Sequence, residues 1–396
     1  MSGDAITRRR GGAESCSWPR VRLGEVCEVL IGNSAPQEAS YFEGGTYPFV
    51  RTSDVGGIHF GILNCSRDML NDAGVKGLRL FRKGSILFPK SGASAFLNHR
   101  VMLGIDAFVS SHLAVIEPSE NVEANYLLHY LTTVDTKNLL QNSAYPSLRR
   151  GDIAAIPLPL PPLAEQRRIA SKLDRLCDIV TKRKAQLSQL QKLVKSRFVE
   201  MFGDPMTNPK GWHIGKVSDL AKYWNGLTYK PENVSETGTI VLRSSNIQGG
   251  RLDFADTVRV NISAKEKNVV VPGDVLMCSR NGSAALVGKT AIIPVTDERM
   301  YFGAFMMIIR STVPEYLNAY FSTKAFRSQI TCGATSTVNQ ITCTMMDHVS
   351  LPIPPMDLMR EFAAFVAKVD KLAFAVRSSL ETAEKLYRHQ LSEAFL

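Results

Sequence analysis

The chain has 396 residues, of which 44% are hydrophobic, and a formal net charge of +10. This length suits two or three domains that each bury a core, and the basic balance favours an anionic partner such as nucleic acid. No stretch approaches 18 consecutive apolar residues, which excludes a membrane-spanning helix.

The N-terminal segment, residues 1–17, contains three consecutive arginines with no apolar run after them. This pattern does not fit a signal peptide and predicts a disordered tail. The seven cysteines form no C-x-x-C pair, and none lies beside a histidine at metal-ligand spacing. We interpret them as reduced, mostly buried thiols of a cytoplasmic protein.

An internal repeat at an offset of about 190 residues organises the rest of the chain. Segments of the first copy have counterparts in the second: 18–26 with 212–220, 49–55 with 241–247, 83–88 with 272–277, and the proline run 156–163 with 349–356. A polar turn containing glycine follows the third segment in both copies, at 90–92 and at 280–282. The common order predicts two copies of one unit, each a compact domain followed by a helix.

After each proline run the apolar residues recur at helical spacing. The first seam is Ile169, Leu173, Leu176, Val180, Leu187, Leu190, Val194 and Met201; the second is Phe362, Val366, Val369, Ala373, Val376, Leu380, Ala383, Tyr387 and Ala394. Arg183 and Arg197 occupy two further positions of the first seam. Each helix extends roughly 33 residues, about 50 Å. Seams of this length favour an antiparallel coiled coil, the alternative being that each helix packs on its own domain.

The two predicted helices differ in charge. Residues 165–200 contain ten basic and four acidic side chains, whereas residues 357–396 contain six of each. The basic run at 182–184 is either a solvated face or part of a helix that passes near phosphates.

No common catalytic motif is complete in this sequence. Residues 282–290 resemble a phosphate-binding loop, but five residues separate the glycines where four are required, so we predict a turn that enters a strand. The glycine-rich cofactor loop and the Asn/Asp-Pro-Pro loop of DNA methyltransferases are absent. The stretch 135–137 lacks the acidic partner of a nuclease, and the seven histidines are scattered singly. We therefore expect neither a catalytic residue nor a metal site.

Two segments carry a family resemblance. Residues 158–174 (LPLPPLAEQRRIASKLD) and 196–205 (SRFVEMFGDP) resemble the central conserved region of the specificity subunits of type I restriction–modification systems. Residues 51–55 and 243–247 resemble the start of the target recognition domains of that family. The second copy lacks the Glu-Gln pair at 165–166 and reaches its Asp-Lys-Leu three residues later than the first copy reaches Asp-Arg-Leu. We interpret this delay as nearly one added helical turn.

The resemblance implies an α+β fold, in which two similar α/β target recognition domains are separated by a pair of long antiparallel coiled-coil helices. The expected divisions are a disordered tail at 1–17, a first recognition domain at 18–157, a central conserved helix at 158–203, a second recognition domain at 204–350 and a distal conserved helix at 351–396.

The resemblance also implies the function of a sequence-specific DNA-binding subunit without catalysis. Such a subunit reads a bipartite site in double-stranded DNA, and a helix pair of about 50 Å matches half-sites roughly one turn of DNA apart. The implied partners are two modification subunits, which methylate adenine with S-adenosylmethionine, and restriction subunits, which use ATP and Mg. The chain is expected to have no cofactor of its own. A self-contained DNA-modifying enzyme with diverged motifs is the alternative, and a coiled-coil scaffold that binds only proteins is disfavoured by the basic charge.

Candidate readers of base edges lie on the two polar turns and on the segments before them. Arginine can bond guanine O6 and N7, and asparagine can bond adenine N6 and N7. The candidates are Arg51, Ser53, Lys90 and Ser91 in the first domain and Arg243, Ser245, Asn246, Arg280 and Asn281 in the second. Alternatively, Arg51 and Arg243 tie down their own loops. Arg149 and the run 182–184 are expected to contact phosphates.

Overall fold

The protein was analysed as a computed structural model that describes residues 18–140, 146–331 and 339–395. The predicted tail, with Cys16, and also Cys332 lie outside these residues. The chain divides into two compact units: the first comprises Met1–Lys182 and Ser379–Leu396, and the second comprises Arg183–Ser378. Each unit therefore contains one globular domain and one half of each long helix.

The first unit contains a five-stranded sheet of order β2-β9-β6-β7-β4 and a three-stranded sheet of order β5-β3-β8, while β1 pairs with β10. Its strands are β1 (Arg20–Arg22), β2 (Cys27–Ile31), β3 (Tyr47–Val50), β4 (Phe60–Leu63), β5 (Asp68–Leu70), β6 (Ile86–Pro89), β7 (Arg100–Leu103), β8 (Phe108–Val109), β9 (Leu113–Pro118) and β10 (Pro157–Pro159). The helices are α1 (Leu23–Val26), α2 (Thr52–Ile58), α3 (Ala124–Thr133), α4 (Arg150–Ala154) and the start of α5 (Leu163–Phe202).

The central strands of the larger sheet are apolar without alternation because both faces are buried. On β9, Ala114 and Ile116 join the core cluster that contains α3 and the start of α5. Leu113 and Val115 join a separate cluster on the opposite face, which contains α2. The sheet is thus the middle layer of the domain.

The second unit contains four-stranded sheets of order β12-β21-β18-β19 and β13-β17-β14-β20, and β11 pairs with β22. Its strands are β11 (His213–Lys216), β12 (Ala221–Asn225), β13 (Val234–Ser235), β14 (Thr239–Leu242), β15 (Ile247–Gln248), β16 (Arg251–Leu252), β17 (Val258–Val260), β18 (Val275–Cys278), β19 (Thr290–Ile292), β20 (Met300–Phe302), β21 (Met306–Ser311) and β22 (Ser350–Ile353). The helices are α6 (Val217–Leu220), α7 (Pro314–Phe321), α8 (Lys324–Thr331), α9 (Cys343–His348) and α10 (Met356–Phe395).

The predicted repeat is confirmed by the sheets, because the order β2-β9-β6-β7 in the first unit corresponds to β12-β21-β18-β19 in the second. The pairing of β6 with β9 begins at Ile86 and Ile116, and the pairing of β18 with β21 begins at Val275 and Ile309. Buried tyrosines also correspond, because the Tyr126 and Tyr316 hydroxyls each donate to the carbonyl of a proline in the strand before the long helix.

The two long helices are confirmed and are longer than predicted, with 40 residues each. Every position of both predicted seams is buried or half-buried, including Arg183 and Arg197. No helix within the described ranges is long and apolar enough to cross a membrane.

Within each unit, the two helix halves run antiparallel. In the first unit, Ile169 of α5 belongs to the same core cluster as Phe395 of α10. In the second unit, the Arg197 guanidinium lies 3.0 Å from the Glu361 carboxylate. The beginning of each helix therefore lies beside the end of the other.

The interpretation of an added helical turn in the second copy is wrong. Both helices have the same length, and Gln166 corresponds to Met359 without an insertion. Gln166 is 1% exposed, and its amide bonds the Glu123 N–H and the Asn121 and Pro161 carbonyls. Met359, also 1% exposed, makes an apolar contact instead. The sequence difference reflects a change of packing chemistry.

A second asymmetry between the copies is a buried polar cluster in the first unit. His129 is fully buried, and its ring nitrogens lie 2.8 Å from the Asp174 carboxylate and 3.0 Å from the Tyr387 hydroxyl. The cluster therefore connects α3, α5 and α10. In the second unit, Ala319 and Val194 stand where His129 and Tyr387 stand in the first, and both pack against an apolar core.

We expect Asp174→Ala to lower the free energy of unfolding of the first unit by about 1–3 kcal/mol, because the buried imidazole loses its charged partner. Hydrogen exchange of α3 amides measures the effect. Asp178→Ala, an exposed position one turn further along α5, is the matched control and should leave exchange unchanged. Equal effects of the two substitutions would contradict a role for the cluster.

Candidate nucleic-acid interface

The turn after β6 is held by three backbone hydrogen bonds. The Lys90 N–H donates to the His112 carbonyl at 3.0 Å, and the Lys90 carbonyl accepts from Leu148 at 2.8 Å. The Gly92 N–H donates to the Pro146 carbonyl at 2.9 Å. Three distant segments therefore meet at this turn.

The turn after β18 has the same three bonds. The Ser279 N–H donates to the Phe305 carbonyl at 2.9 Å, and the Ser279 carbonyl accepts from Ile341 at 2.7 Å. The Asn281 N–H donates to the Asn339 carbonyl at 3.3 Å. Ser279 therefore corresponds to Lys90, and the two turns align one residue away from the register that the glycines indicate.

Ser91 and Arg280, which follow Lys90 and Ser279, are therefore equivalent residues. Each forms an isolated antiparallel bridge, Ser91 with Ser147 and Arg280 with Gln340. The Ser91 hydroxyl lies 2.8 Å from Nδ1 of His112. Two turns with one backbone arrangement therefore present different side chains.

Arg280 is exposed, and its guanidinium carbon lies 5.1 Å from the centroid of the Phe305 ring. That ring is itself 58% exposed. No acidic side chain in the described part of the chain forms an ion pair with Arg280. Its donors are therefore directed to solvent on an aromatic support.

Arg51 follows β3 and Arg243 follows β14, and the two arginines make different contacts. Arg51 forms an ion pair with Asp68 and lies over the rings of Phe42 and Phe49. Arg243 donates to both carboxylate oxygens of Asp256 at 2.9 Å. These carboxylates occupy guanidinium donors, which supports the alternative that both arginines tie down their own loops.

Asn246 is fully buried. Its Oδ1 accepts from the Arg243 N–H at 2.8 Å, and its Nδ2 donates to the carbonyls of Asp253 and Asp256. The amide has no group left for a base, so this residue is corrected from a base reader to a loop-forming residue. Ser245 is half-buried in the same turn, whereas Ser53 in the first unit is exposed.

Asn281 joins the two candidate segments of the second unit. Its Nδ2 donates to the Ser244 hydroxyl at 3.0 Å, and its Oδ1 accepts from the Ser283 N–H. The structure therefore brings the loop after β14 and the turn after β18 together. The N–H of Arg280 beside it donates to the Phe305 carbonyl at 3.1 Å.

Two basic residues lie in or beside the first turn. The Lys90 side chain is half-buried, and Arg149 is exposed one residue after Leu148. The Arg149 N–H donates to Asp152 at 2.9 Å, which leaves its guanidinium outside the helix cap. An open pocket of about 520 Å³ lies elsewhere in this unit, lined by Phe42, Gly44, Gly45, Arg51, Arg67, Asp68 and Met69.

The predicted turn at 282–290 is confirmed as a connection into a strand. Gly288 has a φ of +82°, and β19 begins two residues later. The Lys289 ammonium donates to the Ile247 carbonyl at 2.8 Å, so its charge belongs to the internal structure.

The histidines are not all isolated, which corrects the sequence interpretation. His59 Nδ1 and His99 Nε2 lie 2.9 Å apart, and burial, followed by the charges of His59 and Arg100, lowers the pKa of His99. Among the residues described, no group of three or more His, Cys, Asp or Glu side chains is arranged to hold a metal ion.

The five cysteines within the described ranges are free thiols. Cys27 and Cys278 are buried, and burial raises the pKa of Cys27 to about 12. Cys177 and Cys343 are half-buried and Cys65 is exposed, so two of the five described thiols are fully buried, fewer than the expected majority.

Sequence reasoning missed two pairs of residues at the turns. His112 precedes β9, and Phe305 precedes β21 at an offset of 193. Ser147 pairs with Ser91 of the first turn, and Gln340 pairs with Arg280 of the second. Extending the repeat alignment to the segments before these strands identifies the first pair. The second pair lies at the same offset of 193, so extending the alignment of the proline runs upstream identifies it as well.

Comparisons with known proteins show the family and the fold of the chain. The family model described as "Type I restriction modification DNA specificity domain" matches residues 17–190 and 209–381. The EcoKI specificity subunit of Escherichia coli is 26% identical over 316 residues, which span 71% of this chain and 67% of that protein. The MjaIX specificity subunit of Methanocaldococcus jannaschii is 24% identical over 236 residues, 53% of this chain and 52% of the relative. The structure of a type I S subunit from M. genitalium has a similar fold, with a TM-score of 0.61, 10% identity and 96% coverage of both chains.

Proposed function

Because the chain belongs to the type I restriction–modification DNA specificity family, we propose that it reads the two halves of a bipartite DNA site with its two domains. The observation that carries the proposal is the duplicated turn, which has one backbone arrangement and different side chains in the two units. One scaffold with two sets of exposed groups suits recognition of two unlike half-sites.

The charges at the turns support contact with DNA. Arg280 and Arg149 are exposed cations in or beside the two turns, and Lys90 is a half-buried cation in the first turn. Contacts from such cations to phosphates position a protein on the duplex, while groups that reach base edges determine the sequence. The proposed interface comprises Ser53, Lys90, Ser91, Arg149, Ser245, Arg280 and Asn281, with Arg51 and Arg243 supporting it.

The chain is a specificity component and not an enzyme, so chemistry is performed by the partners with which it forms a restriction–modification complex. We propose that these are two modification subunits, which methylate adenine with S-adenosylmethionine, and restriction subunits, which use ATP and Mg, all in the cytoplasm. The exposed flanks of α5 and α10 are the proposed docking surfaces of the modification subunits. The length of the helix pair is proposed to set the gap between half-sites.

The domain divisions also remain a proposal: recognition domains at 18–157 and 204–350, and conserved helical regions at 158–203 and 351–396. The rival function, a self-contained DNA-modifying enzyme, has no support, because the family is one of DNA specificity domains.

Genome-wide methylation mapping tests the proposed function. In cells that express the modification subunits, we expect adenine methylation at one asymmetric, split sequence only when this chain is present. The purified chain alone should transfer no methyl group. Activity without partners, or a methylated motif that tolerates any gap length, would contradict the proposal.

A further inference from the structure

We propose that Ser91 and Arg280 occupy the same specificity-determining position of the two domains, and that Arg280 reads a guanine in the half-site of the second domain. This inference rests on the proposed function and names the base class that one residue recognises. Of the nine candidate base readers, it assigns a base class to one residue and a structural counterpart to that residue in the other domain.

Ser91 and Arg280 occupy geometrically equivalent positions in the two units. Ser91 and Arg280 each follow the residue whose N–H and carbonyl bond the segments at 112 and 148 or at 305 and 341. Each also forms an isolated bridge, with Ser147 or Gln340. The same place on two scaffolds therefore carries a hydroxyl in one unit and a guanidinium in the other.

Three arginines near the turns differ in whether a carboxylate binds their guanidinium donors. Arg51 and Arg243 face the carboxylates of Asp68 and Asp256. Arg280 faces no carboxylate within the described ranges and is exposed. A guanidinium presents a planar fork of donors that matches O6 and N7 of guanine in the major groove. Arg51 and Arg243 each have one guanidinium nitrogen, Nε and Nη2 respectively, bound to a carboxylate, whereas no guanidinium nitrogen of Arg280 is bound to a carboxylate within the described ranges.

The Phe305 ring orients the Arg280 guanidinium. The Arg280 guanidinium lies over the exposed Phe305 ring, 5.1 Å from its centroid. An aromatic face limits the rotation of the guanidinium plane and reduces the entropy lost when both donors bond one base. The equivalent support in the first unit is His112, which bonds Ser91 at 2.8 Å. A hydroxyl held by an imidazole cannot make the bidentate contact, so the two half-sites are expected to differ here.

The test transplants the first pair into the second domain by combining Arg280→Ser with Phe305→His in the full chain, within the assembled complex. Methylation mapping should show loss of a guanine requirement at one position of one half-site. Discrimination there should fall by about 5- to 150-fold. The other half-site and the gap should be unchanged. Arg280→Lys, which keeps the charge and loses the fork, should relax the same position.

The matched control is Arg299→Ser. Arg299 also lies over an aromatic ring, Tyr301 at 6.0 Å, but precedes β20, whereas Phe305 follows that strand. Its substitution should leave the motif intact. An unchanged motif in the Arg280 variants, or weaker methylation of all sequences alike, would overturn the inference. A wild-type motif that is not bipartite would instead contradict the proposed function. If the double variant fails to accumulate, Arg280→Lys decides the matter.

Discussion

Replacing Arg100 by alanine is expected to lower the free energy of unfolding of the first unit by about 3–5 kcal/mol. Arg100 lies on β7 and is fully buried. Its guanidinium donates to the carbonyls of Leu131 and Val134 at 3.1 and 3.3 Å and to the Thr136 hydroxyl at 3.2 Å. It also donates to the His99 carbonyl at 2.8 Å, so the substitution removes four hydrogen bonds at once.

The physical reason is the unsatisfied end of α3. The last carbonyls of a helix have no partner within it, and here the Arg100 side chain supplies the donors. The guanidinium carbon also lies 3.7 Å from the centroid of the Phe88 ring. Burial lowers the pKa of Arg100 to about 9, against the opposing charge of Asp135, so the group remains charged at neutral pH. Alanine relieves the desolvation of this charge but leaves buried acceptors and a large cavity, which outweigh that gain.

Native-state hydrogen exchange of the α3 and β7 amides measures the effect, because it resolves one unit of a chain that need not unfold in a single step. Arg82→Ala removes the same charge from an exposed position in the same unit and is the control. Arg100→Lys should give an intermediate loss. Exchange in Arg100→Ala that matches the Arg82 variant would refute the proposed role of the buried guanidinium.

Phe202→Ala is expected to destabilise the second unit by a similar amount, about 3–5 kcal/mol, through loss of buried surface and formation of a cavity. The side chain is 2% exposed at the end of α5. Its ring centroid lies 5.1 Å from that of Phe198, 5.0 Å from Tyr316 and 5.4 Å from Phe362. These rings join α5, α7 and α10 within one aromatic cluster.

This cluster connects the second domain to its halves of the long helices, so its loss should also impair DNA recognition by that domain. Val199→Ala, on the exposed side of the same helix, is the control and should change stability by less than about 0.5 kcal/mol. Hydrogen exchange of α7 amides follows the effect. Protection of α7 that survives Phe202→Ala would show that the remaining rings hold the helix without it.

The sequence by itself was sufficient for the architecture of each unit. The offset of about 190 residues predicted two domains of one fold, and helical spacing of apolar residues predicted both long helices. The seams at Leu173 and Val369 proved buried as expected. These features were predictable because the spacing of apolar residues and the repetition of segments can be read directly from the amino-acid sequence.

Only the tertiary structure decided the roles of individual residues. The equivalence of Ser91 with Arg280 depends on backbone hydrogen bonds to segments far away in sequence. Similarly, the carboxylate that binds Arg51 lies at the start of β5, and the one that binds Arg243 lies before β17. The Asn246 amide nitrogen donates to carbonyls seven and ten residues later. Loops of different length shift the two copies from an offset of 189 at β6 and β18 to 193 at the long helices. A sequence pattern therefore identifies which turns correspond in the two copies, whereas hydrogen-bond partners and burial determine which side chains remain exposed.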